Sequence, residues 1–517
     1  MKCTQTILLI LISSILFSQA GSIDTSFGNE GKTITEFEGI SAEANAMAVQ
    51  SDGKIIMSGF GEIGSDEVIV AVRYMPNGEI DAGFADEGKF IFRISNFRDR
   101  SYGIAVDSLN NVFLTGITRN SGSVNKGFVI KLNENGAMDS TFAHNGIWIS
   151  EEPDTREDFR EILIQDDGKI VIAGATVIVG QTESSSIIVR LNPNGTLDYS
   201  FGQNGFAKKN VPDSYNTRFA GLNSKEDIIT GGFLLGIDTK AILIKFTKEG
   251  EVDLSFGTDG IMIDNSVPTG FAYELAFQSD EKFFMVAGVT TLFGRDFGLT
   301  RYNEDGTLDN TFGTNGKIST DFLQGSNTAH SVVIQEDGKI ILSGFLGITP
   351  NHDYAISRYD SIGVLDSSFG NNGKIITDLG FDDLAFASAI QSDGKLLCGG
   401  NSKTADGNSS FSIARYFTEI ETSTLNIPEI VNSISIFPNP SNGKFSLVFD
   451  LKKSSNTSID LLSSNGQFIH KIIDNRFLTK GENAIEIELA ENIIMGLYFL
   501  RIETEMGIVN SKLLIEK

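Results

Sequence analysis

A short pattern recurs seven times along the chain, and its spacing limits the folds that the sequence can adopt. An aspartate is followed three residues later by a phenylalanine, and a glycine follows that phenylalanine after four more residues. Successive copies are 55 to 59 residues apart. Because a fixed period of this length is typical of repeat architectures, we expect one structural unit per repeat. The aspartates are Asp24, Asp81, Asp139, Asp198, Asp253, Asp309 and Asp366.

Each repeat is predicted to contain four short strands. In the first unit, residues 47–49 lead into an Asp-Gly turn at residues 52–53, and residues 55–57 leave it. Asp-Gly between apolar runs is a strong hairpin signal. Residues 68–74 and 88–94 supply the third and fourth strands. Four antiparallel strands per repeat indicate an all-β β-propeller, whereas a helical solenoid would need a helical period and a β-helix a much shorter repeat.

The last unit lacks its fourth strand. Its first three strands are predicted at residues 386–391, 395–400 and 411–416, while residues 32–37 form an orphan strand before the first unit. Placing this N-terminal strand in the last blade removes two open edges. The sequence therefore predicts a seven-bladed β-propeller, closed by the N-terminal strand, over residues 21–416.

A second repeated element identifies a family. Gln-x-Asp-Gly-Lys has clear copies at residues 50–54, 165–169, 335–339 and 391–395, and several third strands end in Arg-Tyr. Over roughly residues 22–416 this pattern resembles the delta-60 repeat family of bacterial secreted proteins. The resemblance implies an exported protein.

The N-terminus has the features of a secretory signal peptide over residues 1–20. Lys2 precedes a short apolar run at residues 7–17, and Ser18-Gln19-Ala20 is a small-residue cleavage site. The alternative is a membrane anchor, but the run is shorter than the roughly 20 residues that span a bilayer. We expect cleavage, with no transmembrane segment in the mature protein.

After a polar linker at residues 417–432, residues 433–517 form a different module. Alternating strands at residues 444–449, 458–462, 485–489 and 498–502 predict a small Ig-like β-sandwich. Prolines are excluded from central strands, so they are expected to mark the entry to this fold. The motif residues are Pro438, Asn439, Pro440, Gly443, Gly496 and Tyr498.

These motifs resemble the C-terminal sorting domain of type IX secretion substrates in Bacteroidetes. The resemblance implies that the type IX secretion machinery is a partner and that the protein crosses the outer membrane. It also implies, in many cases, removal of the module and attachment to surface lipopolysaccharide. The expected location is therefore secreted or at the outer-membrane cell surface. An ordinary sandwich adhesion domain is the alternative interpretation.

Charge and cysteine content exclude some functions. The chain carries 41 Lys and Arg against 67 Asp and Glu, a formal charge of −26. Nucleic acid is not expected as a partner, because phosphate binding needs concentrated positive charge.

After signal removal Cys398 is the remaining cysteine, and its apolar strand predicts a buried, inert thiol.

The repeated residues are predicted to be structural rather than catalytic, since a catalytic site occurs once. The aspartates should hydrogen-bond their own loops, and the phenylalanines should pack between blades. No cofactor or metal is predicted: the histidines lack paired spacing, and Ile362 stands where a repeat-wide calcium loop would need an oxygen ligand. An isolated calcium site at residues 303–309 and a carboxylate pair of the glycosidase type both stay open.

The variable loops on one face of the propeller form the candidate binding face, because recognition tolerates variation that structure does not. Blade-to-blade loops there are rich in Arg and aromatic residues, which are common anchors of recognition surfaces. The competing interpretation is internal pairing with carboxylates such as Asp99 and Asp158. The predicted ligand-binding residues are Arg98, Arg100, Tyr102, Arg156, Arg160, Tyr215, Arg218 and Tyr273.

Two classes of function follow from this face. The first is a surface binding or adhesion module for glycans or proteins, with an acidic polysaccharide or an acidic protein segment as ligand class, because guanidinium groups bind carboxylate and sulfate. The second is a polymer-degrading hydrolase or lyase with its site in the propeller mouth. The sequence carries no unrepeated catalytic motif, which favours the binding module.

Overall fold

The computed structural model contains only β-strands in the part of the chain that it describes. It describes residues 19–211, 214–235, 239–264, 271–291, 294–322, 325–348, 351–419, 431–463, 468–490, 493, 496–504 and 507–515. Most of the predicted signal peptide and of the predicted linker lie outside these residues. The predicted all-β class is confirmed. Among the described residues there is no helix long and apolar enough to cross a membrane.

The chain divides into two compact units, Gly21–Thr418 and a unit that contains Glu419–Lys517. The larger unit begins with strand β1 (Lys32–Thr35) and then repeats a four-strand group. The first strands of the groups are β2 (Ser41–Val49), β6 (Arg98–Val106), β10 (Thr155–Ile164), β14 (Ser214–Leu222), β18 (Ala272–Phe277), β22 (Ser326–Ile334) and β26 (Asp383–Ile390). The second strands are β3 (Ile55–Ile63), β7 (Val112–Arg119), β11 (Ile170–Ile178), β15 (Ile228–Leu235), β19 (Phe283–Thr291), β23 (Ile340–Ile348) and β27 (Leu396–Lys403).

The outer half of each group consists of a long third strand and a short fourth one. The third strands are β4 (Asp66–Tyr74), β8 (Lys126–Leu132), β12 (Ser184–Leu191), β16 (Lys240–Phe246), β20 (Gly294–Tyr302), β24 (Asn351–Tyr359) and β28 (Ser409–Tyr416). The fourth strands are β5 (Lys89–Phe92), β9 (Ile147–Ile149), β13 (Phe206–Val211), β17 (Ile261–Asp264), β21 (Lys317–Thr320) and β25 (Lys374–Thr377).

Strands pair antiparallel in sequence order within each group. Five groups are separate four-stranded sheets, and the remaining strands, β2 to β9, form one eight-stranded sheet. That sheet consists of two groups joined by one parallel pair, Glu67 with Arg98. The Asp-Gly and Asn-Gly turns explain the antiparallel order: Gly53 and Gly78 have φ of 81° and 86°, a conformation that glycine adopts without strain.

The N-terminal strand completes the last sheet, as the sequence predicts. Strand β1 pairs antiparallel with β28, with Lys32 opposite Ala414 and Thr35 opposite Phe411. The order in this sheet is β1-β28-β27-β26, so a strand from the start of the unit is the edge strand of its end.

Neighbouring groups pack face to face, and their first strands contact one another in order from β2 to β26. Strand β26 in turn contacts β2, so the series of neighbours returns to its start. The apolar core lies between adjacent sheets: Ile69 of one group and Leu114 and Phe128 of the next belong to one buried cluster. Burial of these side chains stabilises every sheet-to-sheet junction, at about 25 cal/mol per Å² of apolar surface.

The smaller unit has two sheets around one core. The three-stranded sheet consists of β29 (Val431–Phe437), β30 (Lys444–Leu451) and β33 (Gly481–Glu488). The four-stranded sheet has the order β32 (Phe468–Leu478), β31 (Ser455–Ser463), β34 (Gly496–Thr504) and β35 (Gly507–Ile515). Side chains of both sheets, such as Phe445 and Leu500, belong to a single buried cluster. Four of these strands are predicted from sequence, whereas β29, β32 and β35 are not.

Candidate functional site

The repeated aspartate, the arginine or lysine that lies eight residues before it in six of the seven copies, and the phenylalanine three residues after it make a recurring set of contacts. We call this set the lock. Asp81 Oδ1 accepts a 3.0 Å hydrogen bond from the Gly83 amide, and Asp81 Oδ2 accepts one of 2.9 Å from Arg73 Nε. The Arg73 guanidinium lies 4.6 Å from the centre of the Phe84 ring and donates to the Glu134 carbonyl in the next repeat. This geometry ties each repeat to its neighbour.

The lock recurs along the unit, which confirms the structural role predicted for the repeated residues. All seven repeat aspartates accept a hydrogen bond from the backbone amide two residues later. All seven repeat phenylalanines are fully buried. Lysine takes the place of arginine in two copies. The remaining pairs are Lys131–Asp139, Arg190–Asp198, Lys245–Asp253, Arg301–Asp309, Arg358–Asp366 and Arg415–Asp24.

The predicted ligand-binding residues lie in first strands and not in the blade-to-blade loops where the sequence placed them. Arg98, Arg100 and Tyr102 belong to β6, Arg156 and Arg160 to β10, Tyr215 and Arg218 to β14, and Tyr273 to β18. The first strands start earlier than predicted because polar residues at their beginnings still pair with the second strand. The Tyr215 side chain lies outside the described part of the structure.

Every first strand contains a β-bulge at an equivalent place. The register between first and second strands shifts once in each group, for example between Ser101 and Gly103 and between Phe159 and Glu161. One residue per group is therefore left without a partner opposite it, and a bulge of this kind redirects its side chain. We call these seven half-buried residues the bulge ring. They are Asn45, Tyr102, Arg160, Arg218, Tyr273, His330 and Phe386.

Members of the bulge ring contact one another across group boundaries. The Arg160 guanidinium lies 3.7 Å from the centre of the Tyr102 ring. The His330 ring lies 4.0 Å from Tyr273 and 5.0 Å from Phe386, measured between ring centres. Among the predicted site residues, Tyr102 thus contacts Arg160 across a group boundary, and Tyr273 contacts His330.

Arg218 is the cationic member of the ring that forms no ion pair with any residue in the described part of the chain, although the charge of Asp158 acts on it from a distance. Its Nε is buried without a hydrogen-bond partner, and its guanidinium has no ion pair among the described residues. Burial lowers the pKa of Arg218, and the nearby charge of Arg160 lowers it further. Arg160, by contrast, forms a 2.8 Å ion pair with Asp158. The neighbourhood therefore carries an excess of positive charge.

His330 is neutral in this environment, because burial lowers the pKa of its imidazole to about 3 and the charge of Arg218 acts in the same direction. Sequence reasoning missed the place of His330, since this histidine has no partner at metal-ligand spacing. His330 occupies the bulge position of β22, which only the register of the strands reveals.

Two carboxyl groups follow the bulge residues in β10 and β18. Burial raises the pKa of Glu161 to about 8 and that of Glu274 to about 7, and the two groups repel each other's charge. Glu274 Oε2 accepts a 2.7 Å hydrogen bond from the Val332 amide. Near neutral pH Glu161 is therefore mostly protonated and Glu274 is about half protonated, so the two groups together contribute less negative charge than two free carboxylates would.

Arg98 and Arg100 form ion pairs inside the unit, as the competing interpretation expects. Arg100 donates from two nitrogens to Glu67, at 2.6 and 2.8 Å, and its guanidinium lies 4.0 Å from the centre of the Phe60 ring. Arg98 Nε lies 2.9 Å from the same carboxylate. Hydrogen bonds with Glu67 raise the pKa of Arg100. The Arg100 side chain is therefore engaged by Glu67 and Phe60 inside the unit, which fits a structural role better than a role in ligand binding.

A separate basic pocket lies between the second and third groups. This cavity of about 450 Å³ is lined by Arg98, Arg119 and Arg156, together with Asn125 and Asp158. Arg156 is exposed, and neither it nor Arg119 has an ion pair among the described residues. Arg119 ends a second strand, which sequence reasoning did not consider as a source of ligand contacts. Asp158 links this pocket to the bulge ring through Arg160.

One group of carboxylates has a metal-like arrangement. Oxygen atoms of Asp353, Asp378 and Asp383 lie within 4.8 Å of one another. Burial, with the neighbouring carboxylates, raises the pKa of Asp383. Asp383 already accepts hydrogen bonds from the Leu379 amide and the Ser402 hydroxyl, so its two oxygens are engaged by protein donors.

Cys398 is fully buried, as predicted, and burial raises its thiol pKa.

The sorting-motif residues of the smaller unit are tied to its last strand. Asn439 Nδ2 donates to the Lys512 carbonyl at 2.9 Å, and Asn439 Oδ1 accepts from the Leu514 amide at 2.8 Å. The Gly443 carbonyl accepts from the Leu489 amide, and its φ of 101° favours glycine. The motif thus joins the start of the unit to β35.

The other motif residues have distinct places. Pro438 and Pro440 follow β29, so the unit begins before the point at which the prolines were expected to mark its entry. Gly496 is the first residue of β34, and Tyr498 is buried in the core of the unit.

Comparison with known families identifies both parts of the chain. Residues 50–84, 165–201, 278–312 and 391–419 match the β-propeller domain of unknown function DUF5122. Residues 435–516 match the secretion system C-terminal sorting domain Por_Secre_tail. No curated protein matches the chain.

Several solved structures share a distant likeness. An ulvan lyase of polysaccharide lyase family PL25 aligns at 11% identity and a TM-score of 0.41, covering 78% of this chain and 95% of its own. Polysaccharide lyase Uly1 aligns at 9% identity and a TM-score of 0.33, covering 75% and 90%. PorZ, a surface component of the type IX secretion system of Porphyromonas gingivalis, aligns at 9% identity and a TM-score of 0.19, covering 92% and 81%. At these scores the likenesses bear on neither substrate nor activity.

Proposed function

We propose that this protein, which carries DUF5122 β-propeller repeats followed by a type IX secretion sorting domain, is an exported binding module for an acidic polymer. The sorting domain indicates export to the cell surface or the medium. The ligand would be a glycan or a protein segment that carries carboxylate or sulfate groups. The finer architecture that we propose is a seven-bladed propeller followed by an Ig-like sandwich.

One observation carries this proposal: the guanidinium groups of Arg119 and Arg156, which have no ion pair among the described residues, line one pocket on a chain of net charge −26. On such an acidic chain an arginine usually finds a carboxylate, as Arg100 does with Glu67. Arg119 and Arg156 instead face the same cavity of about 450 Å³. Guanidinium groups bind carboxylate and sulfate through two parallel hydrogen bonds, which gives an acidic polymer a favourable contact at this pocket.

Binding to defined polymers tests the proposal. The full chain without its signal peptide would be applied to immobilised chondroitin sulfate, polygalacturonate and poly-glutamate, with dextran as the neutral polymer. We expect capture by at least one acidic polymer, weakened about tenfold or more by Arg119→Gln with Arg156→Gln. Arg93→Gln is the matched control, because Arg93 is an exposed arginine that pairs with Asp66 away from the pocket. Equal capture of the double variant and of the wild type would contradict the proposed site.

Export and anchoring need a separate experiment. We propose that residues 433–517 direct the protein through the type IX machinery and that surface lipopolysaccharide receives it. Phe417 and Thr418 contact the larger unit through Gly21 and Arg358, so a truncation should follow Glu419. We expect the truncated protein to fold and to stay in the periplasm. Normal surface display after truncation would refute the sorting role.

A second candidate function is a secreted hydrolase or lyase acting on acidic polymers. Glu161 and Glu274 favour it, because buried carboxyl groups with raised pKa are typical of general acids. Incubation with the same polymers, followed by assays for new reducing ends and for unsaturated uronates, tests this candidate. Activity in the wild type that is abolished in Glu161→Gln or Glu274→Gln would favour the enzyme over the binding module.

A further inference from the structure

The bulge ring differs chemically from everything else that repeats in this protein. The lock residues and the turns are alike from group to group, whereas the bulge position is occupied by two arginines, two tyrosines, a histidine, a phenylalanine and an asparagine. The preceding residue is buried in every group and is mostly small, for example Ala44, Ser101 and Ala329. Packing therefore constrains the position before the bulge, and the bulge residue is left half-buried and variable.

Contacts within the bulge ring are close where two members meet. The Arg160 guanidinium lies 3.7 Å from the centre of the Tyr102 ring, and the His330 ring lies 4.0 Å from Tyr273 and 5.0 Å from Phe386. Arg218 interacts electrostatically with Tyr102 and with His330, each two groups away on opposite sides. Arg218 thus lies near aromatic side chains on both sides.

The charges at this level favour an anion. Arg160 and Arg218 contribute two positive charges, and Asp158 compensates the first through its 2.8 Å ion pair. The Nε of Arg218 is buried without a hydrogen-bond acceptor, which is unfavourable unless a ligand supplies one. Glu161 and Glu274 supply only part of the missing negative charge near neutral pH, because burial raises their pKa to about 8 and about 7.

We propose that the bulge ring binds an acidic sugar residue of a ligand, with the carboxylate or sulfate on Arg218 and the sugar ring against Tyr102 and Tyr273. The inference rests on the proposed function in its ligand class but uses different residues from the basic pocket. Aromatic faces cover the apolar side of a sugar, and the guanidinium fork fixes the acidic group.

Monosaccharide binding tests this site without the polymer. D-glucuronate and glucose 6-sulfate would be titrated into the full chain without its signal peptide, with D-glucose as the neutral probe, and followed by calorimetry. Trp148, the one tryptophan of the sequence, provides a fluorescence signal because it stacks 6.4 Å from Phe159, next to Arg160. We expect binding of at least one acidic sugar and none of glucose.

Variants assign the binding to the ring. Arg218→Gln should weaken binding of the acidic sugar about tenfold or more, and Arg218→Lys should restore part of it. Arg160→Gln provides a second variant should Arg218→Gln fail to fold, as judged by circular dichroism. Arg93→Gln should bind as the wild type does. Equal affinity of the Arg218 and wild-type proteins, or no binding of either acidic sugar to the wild type, would overturn the inference.

The two proposals fail separately. If the wild type captures an acidic polymer through Arg119 and Arg156 but binds neither acidic monosaccharide, the bulge-ring site is wrong and the proposed function stands. If acidic sugars bind through Arg218 while the double variant Arg119→Gln with Arg156→Gln captures polymer as the wild type does, the proposed binding role of the basic pocket is wrong and the bulge-ring site stands.

Discussion

Arg415 Nε donates a 2.8 Å hydrogen bond to Asp24 Oδ2, although the two residues are 391 positions apart in the chain. The same contact joins Arg358 to Asp366, which are eight positions apart. In the other six repeats the two charged residues of the lock are eight positions apart. At the closure, where β1 pairs with β28, the same contact joins residues from the two ends of the larger unit. It acts beside β1, where the start and the end of the larger unit meet.

Loss of this closing lock should destabilise the protein strongly. In Asp24→Asn the buried Arg415 loses its carboxylate, and removal of one partner of a buried ion pair typically lowers the free energy of unfolding by about 3–5 kcal/mol. Urea unfolding followed by circular dichroism measures the change. Asp66→Asn, which removes a partly exposed pair with Arg93, should change stability by less than about 1 kcal/mol. Similar effects of the two variants would contradict the role of the closing lock.

Removal of the closing strand should cause association. Deletion of residues 22–37 exposes the edge of β28, which would otherwise pair with β1, and exposed edges recruit strands from other chains. Size-exclusion chromatography with light scattering should detect oligomers. Truncation after Glu419 is the control, because it leaves β1 in place and should keep the oligomeric state of the wild type. A monomeric deletion variant would show that β1 is dispensable for closure.

Stability should fall as pH rises through the neutral range. Glu161 and Glu274 titrate near 4.5 in an unfolded chain, but burial raises their pKa to about 8 and about 7 in the fold. Their protonated forms therefore stabilise the folded state fully below pH 4.5, and this contribution is lost as pH rises toward 7 and 8.

Thermal unfolding from about pH 5 to about pH 9 measures this dependence. The double variant Glu161→Gln with Glu274→Gln cannot ionise at these positions, so its Tm should vary less with pH and exceed that of the wild type at the alkaline end. Glu249→Gln, a change on a turn between repeats, should follow the wild-type curve. Parallel curves for the double variant and the wild type would contradict burial of the two carboxyl groups.

Asn439 should hold the last strand of the smaller unit in place. Its amide bonds the Lys512 carbonyl and the Leu514 amide, and each such hydrogen bond typically contributes about 1 kcal/mol. Asn439→Ala should therefore speed hydrogen exchange at the Leu514 amide. Asn442→Ala removes only a local bond to the Lys444 amide and should leave that exchange rate unchanged. Unaltered exchange at Leu514 in Asn439→Ala would refute this role.

The fold of the larger unit was predictable because the same turn residues recur in most of its repeats. Asp-Gly and Asn-Gly turns fix which strands pair, and the missing strand of the last unit requires the one before the first. The bulges were not predictable, because a bulge adds one residue to a strand without any residue type of its own. Ala44-Asn45-Ala46 and Ala329-His330-Ser331 share no signal that marks the middle residue.

The same cause explains the error in placing the site. Arg98 and Arg156 follow polar segments and were predicted to lie in loops, but strand pairing extends over them because backbone hydrogen bonds do not depend on side-chain polarity. Arg119 and His330 were missed because one ends a second strand and the other is a lone histidine. Arg119 and His330 lie near the predicted site residues because of the register between first and second strands, which the sequence does not reveal.

The pairing of β1 with β28 also sets an order in time. A chain that is exported from its N-terminus releases Lys32–Thr35 early, whereas Ser409–Tyr416 follows only after all the other groups. The first strand to emerge is thus the last to find its partner, and the loop that this pairing closes spans nearly the whole unit. Contacts of such long range form slowly, and the larger unit stays open until the chain has been translocated at least as far as Tyr416.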